Sequence, residues 1–170
     1  KDIGMTIHTF ISTFKSYPKE KRPGLLLKVN LAGYSKIEVF ALKEKIVQIQ
    51  NMFEEKDQCP IYLINGDFSD EQMNSLYNHP KVKALVSFTH GEGFGRPLLE
   101  FTTTGKPILA SKWSGQLDFL DPEKSILLPG TVVEVDSTSC NKWIMEGSKW
   151  FNVNYNFASQ KLDNVVQAYD

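Results

Sequence analysis

The chain has 170 residues, of which 41% are hydrophobic and 23% charged, and its formal net charge is −1. These values predict a soluble globular protein with a hydrophobic core. The nearly neutral charge offers no bulk attraction to nucleic acid or to an anionic membrane, and no apolar run reaches the roughly 20 residues of a transmembrane segment. Cys59 and Cys140 lack a metal-ligand spacing and read as reduced thiols of a cytoplasmic protein.

The chain opens at Lys1 without a methionine and enters a helical pattern within a few residues. We therefore expect residues 1–170 to form a single domain cut from a longer protein. Its length suits one domain.

The first half alternates helices and strands. A helix is predicted over 5–14, before Pro18, and a strand over 25–29. Ser35 and Glu38 have the spacing of a capping box and predict the start of a long helix. A strand over 61–64 and a second capping box at Ser69 and Gln72 follow. The apolar stripe of the long helix is predicted to be Ile37, Phe40, Leu42, Ile46, Ile49 and Phe53.

The second half continues the alternation. A strand over 82–88 runs into a glycine-rich turn, and Pro97 suits the first turn of a helix that ends at Gly105. Strands over 107–110 and 126–128, a short helix over 115–120 and a last helix over 157–169 complete the pattern. Because the apolar runs are continuous, the strands are expected to be buried on both faces. The predicted fold is α/β, a doubly wound and mostly parallel sheet.

The turn between strand and helix carries the most informative residues. It reads His90-Gly91-Glu92-Gly93-Phe94-Gly95-Arg96-Pro97, and a second acid follows at Glu100. Ligands of open α/β sheets collect at the carboxyl ends of strands, and backbone amides at a helix start favour anions.

Known nucleotide loops do not fit this turn. The dinucleotide pattern needs its third glycine where Arg96 stands. The kinase-like glycine run lacks the other kinase elements, and Gly105-Lys106 is followed by proline rather than by the Ser or Thr of a phosphate-binding loop.

The wider string resembles the E-x7-E signature of retaining GT-B glycosyltransferases of the family 4 type. It runs from Glu92 and Glu100 through Gly105 and Pro107 to Ser114-Gly115. The resemblance is densest over residues 82–129 and extends loosely from residue 1 to about 156. It implies a Rossmann-like domain, the C-terminal, donor-binding half of a GT-B enzyme.

The resemblance also implies residue roles. Glu92 matches the acid beside the transferred sugar and is the candidate catalytic residue. Glu100 matches the acid that binds the ribose hydroxyls of a nucleotide diphosphate sugar; a carboxylate accepts from two hydroxyls. Gly93, Phe94 and Gly95 match the stretch whose amides meet sugar hydroxyls and phosphate, and glycine permits that close approach.

Weaker candidates surround this core. Lys1 and Arg96 are candidate cations for the diphosphate, although both are also ordinary surface positions. Gly66 and Phe68 resemble the loop that lies against the nucleobase. Ser114 and Gly115 resemble a Gly-Gly turn near the diphosphate, with serine for the first glycine, and His90 is expected to make a structural hydrogen bond. The aromatic residues of the tail, expected in the core or at a domain interface, are Trp143, Trp150 and Tyr155.

The resemblance implies transfer of a hexosyl group from a nucleotide diphosphate sugar to an acceptor hydroxyl, with no cofactor and no metal. The acceptor would be bound by an N-terminal domain absent from this chain, which could also bring the protein to a membrane surface. A non-catalytic nucleotide-sugar-binding module, or a GT-B relative such as an epimerase or a phosphorylase, remains an alternative, because fold alone does not fix function.

Overall fold

The computed structural model describes residues 2–29, 36–140 and 144–169. The chain divides into two compact units. The first, here the amino unit, comprises Ile3–Val82 and Leu162–Asp170; the second, the motif unit, comprises Lys1–Asp2 and Lys83–Lys161. That residues 1–170 form a single domain stays a prediction.

The amino unit is built on a parallel pair of strands, in which Leu25 lies opposite Ile61 and Lys28 opposite Ile64. Helices α1 (Ile3–Phe14) and α2 (Lys36–Gln50) pack against each other. The buried face of α1 carries Ile7, Phe10, Ile11 and Phe14. The elements of the amino unit in chain order are α1 (Ile3–Phe14), β1 (Leu25–Lys28), α2 (Lys36–Gln50), β2 (Ile61–Ile64) and α3 (Asp70–Asn78).

The apolar stripe predicted for α2 is right at its centre and wrong at its start. Leu42 and Ile46 are buried, whereas Ile37 is 80% exposed and Phe40 is 62% exposed. At roughly 100° per residue, Ile37 and Phe40 lie about 140–160° around the helix from Leu42. They therefore belong to another face. Ser35, the predicted start, lies outside the described residues.

The capping box predicted at the start of α3 is confirmed. The Ser69 N–H donates to Gln72 Oε1 at 2.9 Å, and the Gln72 N–H donates to Ser69 Oγ at 3.3 Å. Each residue thus satisfies a donor that the helix itself leaves unpaired.

The motif unit holds a parallel sheet of three strands, in the order β3 (Leu85–Ser87), β4 (Ile108–Ser111) and β5 (Ile126–Leu128). Leu85 of β3 lies opposite Ile108 of β4, and Leu109 lies opposite Ile126 of β5. All four residues of β4 are buried, as its continuous apolar run predicted. The elements in chain order are β3 (Leu85–Ser87), α4 (Arg96–Thr102), β4 (Ile108–Ser111), β5 (Ile126–Leu128), β6 (Gly130–Glu134), β7 (Lys149–Val153) and α5 (Tyr155–Gln167).

The antiparallel pair β6–β7 was not predicted from the sequence. Gly130 lies opposite Val153 and Glu134 opposite Lys149. The two strands are separated by 14 residues (135–148), so no short hairpin turn signals the pairing. The closeness of the strands is visible at Gly130, where an added Cβ would lie 2.0 Å from the Asn152 carbonyl oxygen.

The main architecture agrees with the prediction. Both parallel sheets alternate with helices, and the fold is Rossmann-like, as expected of half of a GT-B architecture. Besides the β6–β7 pair and the start of the α2 stripe, several element ends differ from the prediction; for example, β3 begins at Leu85 rather than at 82, and α5 begins at Tyr155 rather than at 157.

Candidate functional site

The glycine turn joins the carboxyl end of β3 to α4 in the motif unit. Gly95 caps α4 with φ 89° and ψ 45°, a left-handed conformation that side-chain-bearing residues rarely adopt. A Cβ there would also lie 3.3 Å from Glu92 Cγ. Glycine at 95 therefore lets the chain reverse beside Glu92 and enter the helix.

A second loop grips the main chain of Glu92. The Gly115 N–H donates to the Glu92 carbonyl at 3.0 Å. Ser114 Oγ donates to the same carbonyl at 2.8 Å and accepts from the Glu92 N–H at 3.3 Å. We call these three hydrogen bonds the Glu92 clasp. They hold both backbone polar groups of the candidate catalytic residue.

Gly115 has no room for a side chain. A Cβ at this position would lie 2.1 Å from the Gly93 carbonyl oxygen and 3.0 Å from the Glu92 oxygen. Both obstacles are backbone atoms, which cannot rotate away. The two loops thus pack backbone on backbone at this position.

Ser114 occupies a backbone conformation that favours glycine. Its φ is 75° and its ψ −164°, and it is the one non-glycine residue with positive φ in the described part of the chain. A side-chain-bearing residue in such a region costs about 1–3 kcal/mol and persists only where its surroundings hold it.

A buried polar network of Thr89, Ser111 and Gln116, here called the Thr89 network, supports the turn. Thr89 Oγ1 donates to the Gly91 carbonyl at 2.8 Å and accepts from the Gly91 N–H at 3.3 Å. Ser111 Oγ donates to the Thr89 carbonyl at 2.9 Å, and Gln116 Nε2 donates to the Ser111 carbonyl at 2.9 Å. Thr89, Ser111 and Gln116 are all buried. Buried polar groups bonded in this way rigidify a site.

The sequence did not single out Thr89 or Gln116 as support for the turn. The available signal was their position: Thr89 follows β3, Gln116 follows Gly115, and parallel strands bring their carboxyl ends to one edge. Gln116 Oε1 is buried and has no hydrogen-bond partner among the residues that the structure describes.

Glu100 lies one turn into α4 and pairs with Arg96. Arg96 Nε donates to Glu100 Oε1 at 2.6 Å, and the Arg96 side chain is 73% exposed. Both predicted donor-binding residues are therefore on the same exposed helix face. The guanidinium lies against the carboxylate that the resemblance assigns to ribose.

Two partly exposed aromatic rings flank the contact between the loops. Phe94 is 51% exposed and packs on Phe119, with ring centroids 5.2 Å apart. Trp113 is 42% exposed and stacks parallel to Phe151 at 5.6 Å. Trp113 was not a sequence candidate, although it directly precedes Ser114.

His90 makes the structural hydrogen bond that was expected. Its Nδ1 lies 2.9 Å from the Phe151 carbonyl, which can only accept, so Nδ1 carries the proton. The ring stacks on Trp150 at 4.2 Å, and Nε2 lies 3.7 Å from the Asp2 carboxylate. His90 thus fastens β7 to the end of β3.

Asp2 also accepts a hydrogen bond of 2.9 Å from the Tyr155 hydroxyl. Burial, the hydrogen bond to Asp2 and the charge of Asp2 together raise the pKa of Tyr155 well above its ordinary value of 10.0. Tyr155, expected in the core or at an interface, is therefore held within the motif unit through the residue next to Lys1.

The candidate nucleobase loop belongs to the amino unit. Lys28 Nζ donates to the Gly66 carbonyl at 2.6 Å and lies 5.0 Å from the centroid of the Phe68 ring. Asn65 Nδ2 donates to the Val29 carbonyl at 2.9 Å, which ties the loop after β2 to the end of β1. Gly66 has φ 124° and needs to be glycine for that reason. Lys28 was not a sequence candidate.

The structure thus brings together Glu92, Gly93, Gly95, Ser114 and Gly115, and pairs Arg96 with Glu100. Gly66 and Phe68 lie in the other unit. Lys1 and Trp143 lie outside the described residues. Over the described ranges, the structure shows no cluster of three or more His, Cys, Asp or Glu side chains fit to hold a metal. Within the same ranges, no helix has the length and hydropathy to cross a membrane.

The sequence matches no family model and no curated protein. Solved structures do match its fold. One is the α,α-trehalose 6-phosphate synthase of Burkholderia multivorans, at 11% identity and a TM-score of 0.64, over 98% of this chain and 32% of that one.

Two further structures match. The UDP-forming α,α-trehalose-phosphate synthase of Burkholderia xenovorans, in complex with glucose-6-phosphate, is 13% identical over 76% of this chain and 30% of its own, with a TM-score of 0.59. Anabaena HepE, in complex with UDP-glucose, is 16% identical over 95% of this chain and 34% of its own, with a TM-score of 0.52.

The chain therefore spans about a third of the length of these proteins. At such low identity the likeness is one of fold, and it agrees with the resemblance read from the E-x7-E string. The chain has the Rossmann-like fold found in GT-B glycosyltransferases.

Proposed function

We propose that this chain is the donor-binding part of a retaining GT-B glycosyltransferase. The enzyme would transfer a hexosyl group from a nucleotide diphosphate sugar to an acceptor hydroxyl. The bond from the anomeric carbon to the diphosphate breaks, and the acceptor oxygen bonds to that carbon on the same face. The hydroxyl proton leaves with the nucleoside diphosphate.

The observation that carries the proposal is the gripped backbone of Glu92. A transferase gains most from groups fixed in place before the substrate arrives. Three hydrogen bonds fix the Glu92 main chain, and the Thr89 network holds the preceding residue. The acid that would lie beside the transferred sugar is thus placed by rigid contacts rather than by a free loop.

The remaining assignments follow the resemblance to the GT-B family. Glu100 would accept from the ribose hydroxyls, and the amides of Gly93, Phe94 and Gly95 would meet the sugar and phosphate. Gly66 and Phe68 would contact the nucleobase. Arg96 and Lys1 would offset the diphosphate charge in place of a metal. Another part of the protein would bind the acceptor. We place the protein in the cytoplasm, in keeping with its two free cysteines.

Isothermal titration of the protein with UDP, GDP and ADP tests donor binding. We expect one of the three to bind, with an affinity unchanged by EDTA. An affinity near the millimolar range corresponds to about 4 kcal/mol. Failure of all three to bind at millimolar concentration would contradict the proposal.

Glu92→Gln separates the enzyme from a binding module. We expect the variant, in the protein that carries this chain, to lose transfer by at least about a hundredfold, because the amide has no charge. Nucleotide affinity should remain within about twofold. Gly91→Ala is a suitable neighbour control, since no atom lies within 4 Å of the added Cβ. Full transfer by Glu92→Gln would favour the non-catalytic module.

A further inference from the structure

The backbone of Ser114 is strained in a way that glycine at the same position would not be. Its φ of 75° and ψ of −164° lie where glycine is the natural residue. The neighbouring Gly115 shows that this loop can carry glycine. The presence of a side chain at 114 therefore calls for a local reason.

Serine adds a hydroxyl group, which both donates and accepts a hydrogen bond, and both bonds are made to Glu92. Oγ donates to the Glu92 carbonyl at 2.8 Å and accepts from the Glu92 N–H at 3.3 Å. The first residue of the candidate motif is thus held at both backbone polar groups by a side chain that lies 22 positions away in the sequence.

Direct binding of the nucleotide sugar by the Ser114 hydroxyl fits this geometry less well. A serine hydroxyl has one proton to donate, and here the Glu92 carbonyl receives it. The resemblance placed residue 114 near the diphosphate, where the family has glycine and no side chain to bind it. The contacts point to an action through Glu92.

We propose that Ser114 is a positioning residue, whose hydroxyl fixes the backbone of Glu92 so that its carboxylate faces the transferred sugar. This inference rests on the proposed function. Ser114 is a position at which this chain departs from the Gly-Gly pattern. The inference predicts that substitutions of Ser114 change the affinity for the nucleotide sugar and leave the affinity for the nucleotide unchanged.

Three substitutions of Ser114 separate the effect of its hydroxyl from the effect of its strained backbone. Ser114→Ala removes the hydroxyl and keeps the Cβ in its unfavourable conformation. Ser114→Gly removes both the hydroxyl and the strain. Ser114→Thr keeps the hydroxyl. The readouts are the dissociation constants of UDP and UDP-glucose, or of the matching pair with the base that the wild-type protein prefers, together with the thermal unfolding midpoint.

We expect Ser114→Ala and Ser114→Gly to weaken binding of the nucleotide sugar relative to the nucleotide by about tenfold, the loss of roughly one good hydrogen bond to a key residue. Ser114→Thr should keep the wild-type ratio. Ser114→Gly should unfold at a higher temperature than Ser114→Ala, because it relieves the strain. A purely structural role would instead restore the binding ratio in Ser114→Gly.

The double variant Ser114→Ala, Glu92→Gln completes the test. If Ser114 acts through Glu92, its substitution should change the ratio by less than about twofold once the carboxylate is gone. Wild-type ratios in both Ser114→Ala and Ser114→Gly would overturn this inference while leaving the proposed function intact. A wild-type protein that binds no nucleotide would overturn the proposed function and this inference together.

Discussion

The Glu100 carboxylate of the candidate motif is hydrogen-bonded to a neighbouring side chain of helix α4. The sequence marked its carboxylate as a ligand for ribose hydroxyls. The structure adds Arg96, whose Nε donates to Oε1 at 2.6 Å across one helical turn. An exposed pair of this kind contributes only about 0–1 kcal/mol to folding. The same hydrogen bond turns one oxygen of the Glu100 carboxylate toward Arg96.

Substitutions at this pair should therefore affect binding more than stability. We expect Glu100→Gln to weaken nucleoside diphosphate binding by about tenfold, since hydrogen bonds to a charged group are the stronger ones. Arg96→Met should lower affinity by a smaller factor and change the free energy of unfolding by less than about 1 kcal/mol. Titration calorimetry and urea unfolding measure the two quantities.

Arg96→Lys is the matched control, because it keeps the charge and loses the planar fork of donors. Nucleotide binding by Glu100→Gln that equals the wild type would remove Glu100 from the proposed site. A large loss of stability in Arg96→Met would show that the pair serves the fold instead.

At the scale of elements, the site depends on two loops that meet through glycine. Gly95 provides the left-handed entry into α4, and Gly115 provides the close approach to Gly93. Helix α4 itself has seven residues, fewer than the sequence predicted. The Glu92 clasp and the Thr89 network, rather than the field of a long helix, therefore organise the turn.

Gly115→Ala tests the contact between the loops. The added Cβ would lie 2.1 Å from the Gly93 oxygen, so the loops must separate. We expect a loss of about 1–3 kcal/mol in the free energy of unfolding, typical of overpacking, and weaker nucleotide binding. Chemical denaturation of the variant gives the first value, and titration gives the second.

Gly91→Ala is the matched control in the same turn. No atom lies within 4 Å of its added Cβ, and its φ is not positive. It should change stability by no more than about 0.5 kcal/mol. Equal stability of Gly115→Ala and Gly91→Ala would contradict the backbone contact described here.

At the scale of the whole molecule, the motif unit links distant parts of the chain. Asp2 belongs to this unit with 83–161. Its N–H donates to the Phe88 carbonyl at 2.9 Å, and its carboxylate accepts from Tyr155. The start of the chain is thereby bound to the end of β3 and to the first residue of α5.

The Tyr155 hydroxyl should make stability depend on alkaline pH. Its pKa is raised in the folded protein, so the unfolded chain loses this proton first as the pH rises above about 10. The contribution of the protonated Tyr155 hydroxyl to the free energy of unfolding is fully present below about pH 10 and is lost progressively as the pH rises above it. We expect a decline of up to about 1 kcal/mol per pH unit, reduced by partial exposure of the group.

Urea unfolding of the wild type and of Tyr155→Phe, at about pH 8 and about pH 11, measures this contribution. The phenylalanine variant keeps the ring and lacks the ionisable hydroxyl, so its stability should fall less between the two values. An equal decline in both proteins would assign the pH dependence to other groups.

Local patterns were sufficient for much of the fold. The capping box at Ser69 and Gln72 and the apolar run of β4 are signals carried by a few adjacent residues, and both were read correctly. The start of the α2 stripe was wrong because Ile37 and Phe40 are apolar without being buried. Apolar character shows what a residue can pack against, not whether a partner is present.

The amino-acid sequence was enough to predict the alternating α/β architecture, the place of the glycine turn and the spacing of Glu92 and Glu100, since these follow from local periodicity and from residue types in a short string. Three features became visible only in the folded chain: Ser114 and Gly115 bind the backbone of Glu92, Thr89, Ser111 and Gln116 support the turn, and β6 pairs with β7. Most of these contacts join residues that are distant along the chain. The contacts around the turn form where the ends of parallel strands meet at one edge of the sheet, whereas β6 and β7 form an antiparallel pair across 14 intervening residues.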